Sequence, residues 1–308
     1  METAYSSAML TGFAKTLTTI WLLLVVIIPG LAMAQTTTIA LSADTEGRTR
    51  HVQQCCGDPG SGGLERRATL VKQLRAQDGN LLLVDAGNSF FGGDSLSSRG
   101  EVIAAAYELL GYDAINVSWR DFRLGKDATV RLIACRKFAA VSASLIDETS
   151  GELLFQPFLV KQVAGERVAI LGVTQSPAGL DVLPHLKDEL KGIRILPLDE
   201  ALAKWLPTAR AEADSVLLLY YGSAAGLHPL AAKFGSQLDA ILVGGARPME
   251  LPQDANPPQL ATEEYGRELG VIYLPAKVDT GRATTEHLLI EATLTPDPDM
   301  VERLKKFK

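Results

Sequence analysis

Most side chains able to do chemistry lie in short polar segments that follow apolar runs. They are Ala43-Asp44-Thr45-Glu46-Gly47, Asp85-Ala86-Gly87-Asn88, Val117-Ser118-Trp119-Arg120-Asp121-Phe122, Val141-Ser142-Ala143-Ser144-Leu145, Leu219-Tyr220-Tyr221-Gly222 and Gly244-Gly245-Ala246-Arg247-Pro248. Carboxylate and carboxamide oxygens suit a hard cation. Guanidinium groups hold phosphate or carboxylate, and Trp119 with Tyr220 and Tyr221 offers faces for stacking. Ser118, Ser142 and Ser144 have no neighbouring His to activate them, so a serine hydrolase is not supported. Cys55 and Cys56 give a third chemistry, thiol redox. With His51 they could hold a soft metal, though no fourth ligand is visible. A bridge between adjacent cysteines is strained, so Cys135 or another chain is the expected disulfide partner.

Ligands in α/β proteins bind beyond the carboxyl ends of the strands, where these segments fall. Strands are expected at 37–42, 81–84, 114–117 and 139–142, at 216–220 and 238–243, and at 271–274 and 287–294. Residues 158–163 and 167–173 flank Gly165 as a hairpin. Helices are expected over 64–76, 101–110, 126–136, 198–213 and 300–307, the second ending at Gly111. Repeated β-α-β units with hairpins predict an α/β protein with mixed sheets. No repeat, low-complexity tract or linker divides residues 35–308, which are expected to form one domain.

Residues 1–34 have a different character. Lys15 precedes the apolar run from Trp21 to Ile28, followed by Pro29-Gly30 and Ala32-Met33-Ala34. This is the pattern of an export signal cleaved after Ala34, which predicts a periplasmic or extracellular protein with no membrane span in the mature chain. The 308 residues, 47% hydrophobic with a net charge of −6, exclude disorder as the main state. A pI near 5.4 argues against a nucleic-acid polymer as partner. Three cysteines exclude a disulfide scaffold, and four histidines are few for an imidazole-built metal centre.

The segments Gly62-Gly63-Leu64-Glu65-Arg66-Arg67-Ala68-Thr69-Leu70, Leu83-Val84-Asp85-Ala86-Gly87 and Leu110-Gly111-Tyr112-Asp113-Ala114 carry a family resemblance. From about Thr38 to about Leu294 the chain resembles the N-terminal catalytic domain of the 5′-nucleotidase branch of the calcineurin-like metallophosphoesterases. The resemblance implies an α/β/β/α metallophosphoesterase sandwich. It also implies phosphate-ester hydrolysis by two metal ions, which clamp phosphoryl oxygens and acidify the attacking water.

Carried over position by position, that metal set changes character. The family's Asp-x-His corresponds to Asp44-Thr45-Glu46, and its bridging Asp to Asn88. Its Gly-Asn-His-Glu loop corresponds to Ser118-Trp119-Arg120-Asp121, so the catalytic His position is Arg120. The His before x-Gly corresponds to Tyr220, and the two of Gly-His-x-His to Ala246 and Pro248. Ala246 and Pro248 offer no side-chain lone pair, and Arg120 is a permanent cation. No catalytic residue is assigned on this reading.

Three functions remain in view. The first is a pseudoenzyme, a binding or interaction module for a protein or an anionic small molecule. Arg120, Arg123 and Arg247 with Trp119 and Tyr220 would be its candidate contacts, and Gly62-Gly63 a helix start open to anions. The second is an active phosphoesterase with an altered metal centre. A residual site at Asp44, Glu46 and Asn88, with Asp85 behind them, would suit at most one divalent cation, Ca²⁺ or Mg²⁺. The third is a thiol redox role through Cys55 and Cys56. Asn116-Val117-Ser118 is also a formal glycosylation sequon, with its Asn in an expected strand.

Overall fold

Aliphatic and β-branched runs too short for helices become the inner strands, and the longer amphipathic stretches cover them. The computed structural model describes residues 36–53, 59–275 and 282–307, all within one compact unit, Ala34–Lys308. The expected export signal and Cys55 and Cys56 lie outside the described residues.

The chain opens with β1 (Thr37–Ser42), the short pair β2 (His51–Val52) and β3 (Ser61–Gly62), α1 (Leu64–Gln77) and β4 (Leu82–Asp85). The alternation continues through α2 (Glu101–Leu110), β5 (Ala114–Asn116), α3 (Lys126–Ala134) and β6 (Ala139–Val141). Then come β7 (Leu145–Asp147) and the hairpin of β8 (Phe158–Val163) and β9 (Glu166–Thr174). Next are α4 (Pro184–Glu189), β10 (Ile193–Ile195), α5 (Leu198–Glu212), β11 (Ser215–Tyr221), α6 (Ala224–Phe234) and β12 (Ala240–Gly244). Last are β13 (Gln259–Ala261), β14 (Glu268–Leu274), β15 (Thr284–Leu289) and α7 (Pro298–Lys305).

Two mixed sheets result. One has the order β15-β14-β1-β4-β5-β6 and the other β13-β12-β11-β9-β8. Residues such as Leu41, Val84, Ile170, Leu217 and Leu242 fill the space between them. Helices α1, α2, α3 and α7 cover the outer face of the first sheet, and α5 and α6 that of the second. This is the expected α/β/β/α sandwich. Strands β1, β4, β5 and β6 run parallel, as do β9, β11 and β12, so their carboxyl ends supply the loops of interest.

Local chemistry sets the boundaries. Helix α2 stops at Gly111, whose φ of 70° closes the turn while Tyr112 N–H bonds back to the Tyr107 carbonyl. Helix α7 starts earlier than expected, because the Asp297 side chain accepts from Met300 N and Pro298 opens the first turn. Helix α6 had no counterpart in the sequence reading. Gly226 and Pro229 lower its intrinsic propensity, and the Ser223 cap with burial of Leu227, Leu230 and Phe234 overrides that. The expected closing strand at 287–294 is β15, whose register against β14 sets it at 284–289. Among the described residues no helix is long and apolar enough to cross a membrane.

Candidate functional site

The loops after β1 and β4 are zipped together by backbone. Asp44 N–H bonds to Gly87 O, Glu46 N–H to Asn88 O and Gly47 N–H to Ser89 O, at 2.9–3.0 Å. Asp44, Glu46 and Asn88 all take left-handed backbone, with φ of 47°, 49° and 61°. Non-glycine residues adopt this region at a cost of order 1 kcal/mol each. Three such residues in one cleft floor are therefore held by their surroundings. Thr45 between them turns inward, its hydroxyl 2.9 Å from that of Tyr107.

Asp121 supplies much of the restraint. Its buried carboxylate accepts from the N–H groups of Asn88, Ser89 and Phe90 at 2.8–3.2 Å. It also accepts from the Ser118 N–H and hydroxyl at 3.0 and 2.7 Å. One side chain thus clamps the loop after β4 to the turn that carries Trp119 and Arg120. Sequence reading named Asp121 only as part of its loop. Its spacing from Ser118, which matches a capping box, was the available signal.

The structure brings Asp44, Glu46 and Asn88 together, but through hydrogen bonds. The Asn88 amide donates to Asp44 Oδ1 at 2.7 Å and to Glu46 Oε1 at 3.4 Å. Asp44 Oδ2 accepts from Gly245 N–H at 2.8 Å, and the Tyr221 hydroxyl lies 3.4 Å from Oδ1. Burial raises the Asp44 pKa to about 6, more than these bonds lower it. Glu46 is raised as well, by burial first, with the nearby Arg120 charge opposing.

Asp85 lies behind this floor, fully buried. It accepts from Ser42 and Ser89 hydroxyls at 2.5 Å, Gly87 N–H at 2.8 Å and the Tyr107 hydroxyl at 2.9 Å. Burial still lifts its pKa to about 6. The buried Arg67 guanidinium bonds to Tyr107, Tyr112 and Thr45 hydroxyls, so hydroxyls relay between the two buried charges.

This donor set is a poor match for a divalent-metal centre. Asp44 has its oxygens engaged, Asn88 turns its N–H₂ rather than its oxygen to the carboxylates, and Ala246 and Pro248 bring no donor. Among the described residues no group of three or more His, Cys, Asp and Glu side chains is placed to hold a metal ion. Arg120 lines the same cleft, and a guanidinium near a divalent cation is repulsive by several kcal/mol at intermediate dielectric. The residues present do not fit a dinuclear centre.

The candidate ligand residues divide between two adjoining hollows. A cleft of ≈ 240 Å³ holds Asp44, Glu46, Asn88, Arg120 and Arg247, with Glu250 and Glu264 on its rim. A larger cavity of ≈ 440 Å³ holds Trp119, Arg120 and Arg123 beside the segment Pro177–Glu189. The Arg120 guanidinium rests 4.7 Å from the Trp119 ring centroid. Tyr220, expected at the cleft, lines neither hollow; it packs in the core under α5 and α6, its hydroxyl donating to Ser223 O at 2.9 Å with Gln175 Oε1 at 3.1 Å. Side chains alternate along a strand, and in β11 that alternation turns the next residue, Tyr221, to the cleft.

Sequence reading missed His185, Glu189, Leu183 and Leu186, which line the larger cavity. The signal was the carboxyl end of β9, whose following loop belongs to the same edge as the others. Gly62 and Gly63 serve packing: a Cβ on Gly62 would lie 2.9 Å from Gly266 O, and one on Gly63 3.0 Å from the Glu65 carboxylate. Asn116 of the sequon is buried, its amide donating to Ala86 O beside its own sheet and to Val173 O of the facing sheet. Cys135 is an exposed free thiol in this single chain, and its expected partners Cys55 and Cys56 lie outside the described residues.

Comparison with known proteins agrees with this architecture. No family model matches the chain. A snake venom 5′-nucleotidase of Gloydius brevicauda is 30% identical over 164 residues, 49% of this chain and 28% of the relative. A 2′,3′-cyclic-nucleotide 2′-phosphodiesterase/3′-nucleotidase of Yersinia enterocolitica is 29% identical over 51% of this chain and 26% of its own length. A 5′-nucleotidase of Diplobatis ommata is 24% identical over 88% of this chain and 51% of its own length. The chain therefore spans about half the length of these relatives or less.

Among solved structures, the sulfate thiohydrolase SoxB of Thermus thermophilus superposes with TM-score 0.74 at 18% identity, covering 88% of this chain and 60% of that one. The calcineurin-like phosphoesterase YfkN of Bacillus subtilis gives 0.71 at 20% identity, over 89% and 97%. A 5′-nucleotidase precursor of Thermus thermophilus gives 0.70 at 21% identity, over 89% and 58%.

Proposed function

From the premise that this chain is a 5′-nucleotidase-like domain with the calcineurin-like metallophosphoesterase fold, we propose that it is a non-catalytic binding module for an anionic ligand. We infer also that it is exported after cleavage near Ala34. One observation carries the first reading: Asn88 N–H₂ and Gly245 N–H take up the Asp44 carboxylate, where the parent chemistry needs metal. Arg120 supplies a fixed positive charge to the same cleft. A guanidinium there attracts phosphate or carboxylate but cannot accept or return a proton near neutral pH. Arg120, which lines both hollows, can thus hold an anion but cannot serve as the proton-transfer group of the catalytic His position it occupies.

Metal analysis of the purified protein, coupled to turnover of 4-nitrophenyl phosphate with added Mn²⁺ or Zn²⁺, tests this reading. We expect no stoichiometric metal and no turnover above the blank. Stoichiometric Mn, Zn or Fe, with turnover abolished by Asp44→Ala, would establish instead an active phosphoesterase with an altered metal centre. For export, intact mass of protein recovered outside the cytoplasm should correspond to a chain starting at Gln35. A full-length mass there would refute cleavage.

A further inference from the structure

The cavity beside Trp119, rather than the smaller cleft, has the composition of an organic-ligand site. Its volume of ≈ 440 Å³ lies in the range that encloses small molecules. Phe91, Trp119, Leu183 and Leu186 give it an apolar wall, and Arg120, Arg123 and His185 present donors to the same space. Among the described residues neither the Arg120 nor the Arg123 side chain makes a hydrogen bond or ion pair. The Arg120 guanidinium lies over the Trp119 ring, 4.7 Å from its centroid, and a guanidinium with unengaged N–H groups can meet a carboxylate or phosphate with two parallel bonds. Glu46 and Glu189 stand in the same lining, which disfavours a highly charged ligand. The smaller cleft differs: Asp44, Glu46, Glu250 and Glu264 outnumber its two arginines.

We propose that this cavity binds an amphipathic organic anion, a carboxylate or phosphate monoester bearing a ring or short apolar chain. The acid group would sit on Arg120 and Arg123 and the apolar body against Phe91, Trp119, Leu183 and Leu186. This rests on the binding-module reading and names its ligand class.

Calorimetric titration of the whole chain with phenyl phosphate, phenylacetate, inorganic phosphate and acetate tests it. The ring-bearing acids should bind at least about tenfold more tightly than their ring-free counterparts. The ratio of phenyl phosphate to phenylacetate identifies the preferred acid. Arg123→Ala should weaken the better ligand by about tenfold or more, the loss of one charge-assisted contact. Leu183→Asp, at a part-exposed position, should do the same without disturbing the core. Inorganic phosphate binding as tightly as phenyl phosphate would overturn the proposal, as would a larger loss in Arg247→Ala than in Arg123→Ala. Both outcomes move the anion to the small cleft and leave the binding-module reading standing. Binding of none of the four overturns the proposal too, whereas turnover of 4-nitrophenyl phosphate strikes only at the non-catalytic reading.

Discussion

Asp121 and Asn88 show how much one polar side chain can organise. Asp121→Ala would leave the buried backbone N–H groups of Ser89, Phe90 and Ser118 without their acceptor, at about 1–3 kcal/mol each. A loss of about 3 kcal/mol or more is expected in urea unfolding, with a smaller one in Asp121→Asn, which keeps an acceptor oxygen. Asn88→Asp would put a third carboxylate beside Asp44 and Glu46 in place of the amide that separates them. Its melting temperature should fall at pH 7.5, with the deficit shrinking as pH drops below about 5 and carboxylates protonate. An unchanged melting temperature would show that the amide does not shield these charges. Ala246 and Pro248 were legible in the sequence as positions without donors. The roles of Asn88 and Asp121 were not, because the same residue types also bind metals or face solvent.

At the level of elements, close approach of the two sheets decides the site. Asn116 in β5 bonds to Val173 O in β9, and Gly172 makes room for it. A Cβ on Gly172 would lie 2.7 Å from both Asn116 Oδ1 and Val141 O. Gly172→Ala should therefore destabilise by about 2 kcal/mol through overpacking, measurable by urea or thermal unfolding. A neutral substitution would mean that the sheets can separate without loss. Strand period and helix caps made β1, α1, α2 and the β8–β9 hairpin readable from the chain alone. The direction of Tyr220 and Tyr221 was not, since a one-residue change in strand orientation exchanges core for cleft.

For the whole molecule, the buried carboxylates predict an unusual pH dependence. Asp44 and Asp85 are raised to about 6 from the usual 3.8, so the unfolded chain ionises first as pH rises. Each group's stabilising contribution is complete below pH 3.8 and is lost between about 4 and 6, on the order of 2–3 kcal/mol each. Asp94 and Asp147 act the other way: both are lowered to about 2, so their stabilisation is lost below about pH 4. Thermal stability should accordingly rise as pH falls from about 6 to about 4 and fall again below about 4. Asp44→Asn should flatten the upper part of that profile. A wild-type profile that is flat between about pH 4 and 6 would show that these carboxylates ionise freely in the fold.

The layered α/β frame and the set of side chains at its strand ends are legible in the linear chain. Apolar period and turn chemistry act over a few residues, and a linear reading can weigh them. That Asn88 faces two carboxylates, that Asp121 gathers five donors, and that Arg120 joins Arg123 and His185 around one cavity emerges from the folded chain. Most of those partners lie tens of residues apart in the chain. Packing of two sheets and the α4 segment sets their separations, and at these distances a few ångströms distinguish an ion pair, a hydrogen bond and an open donor.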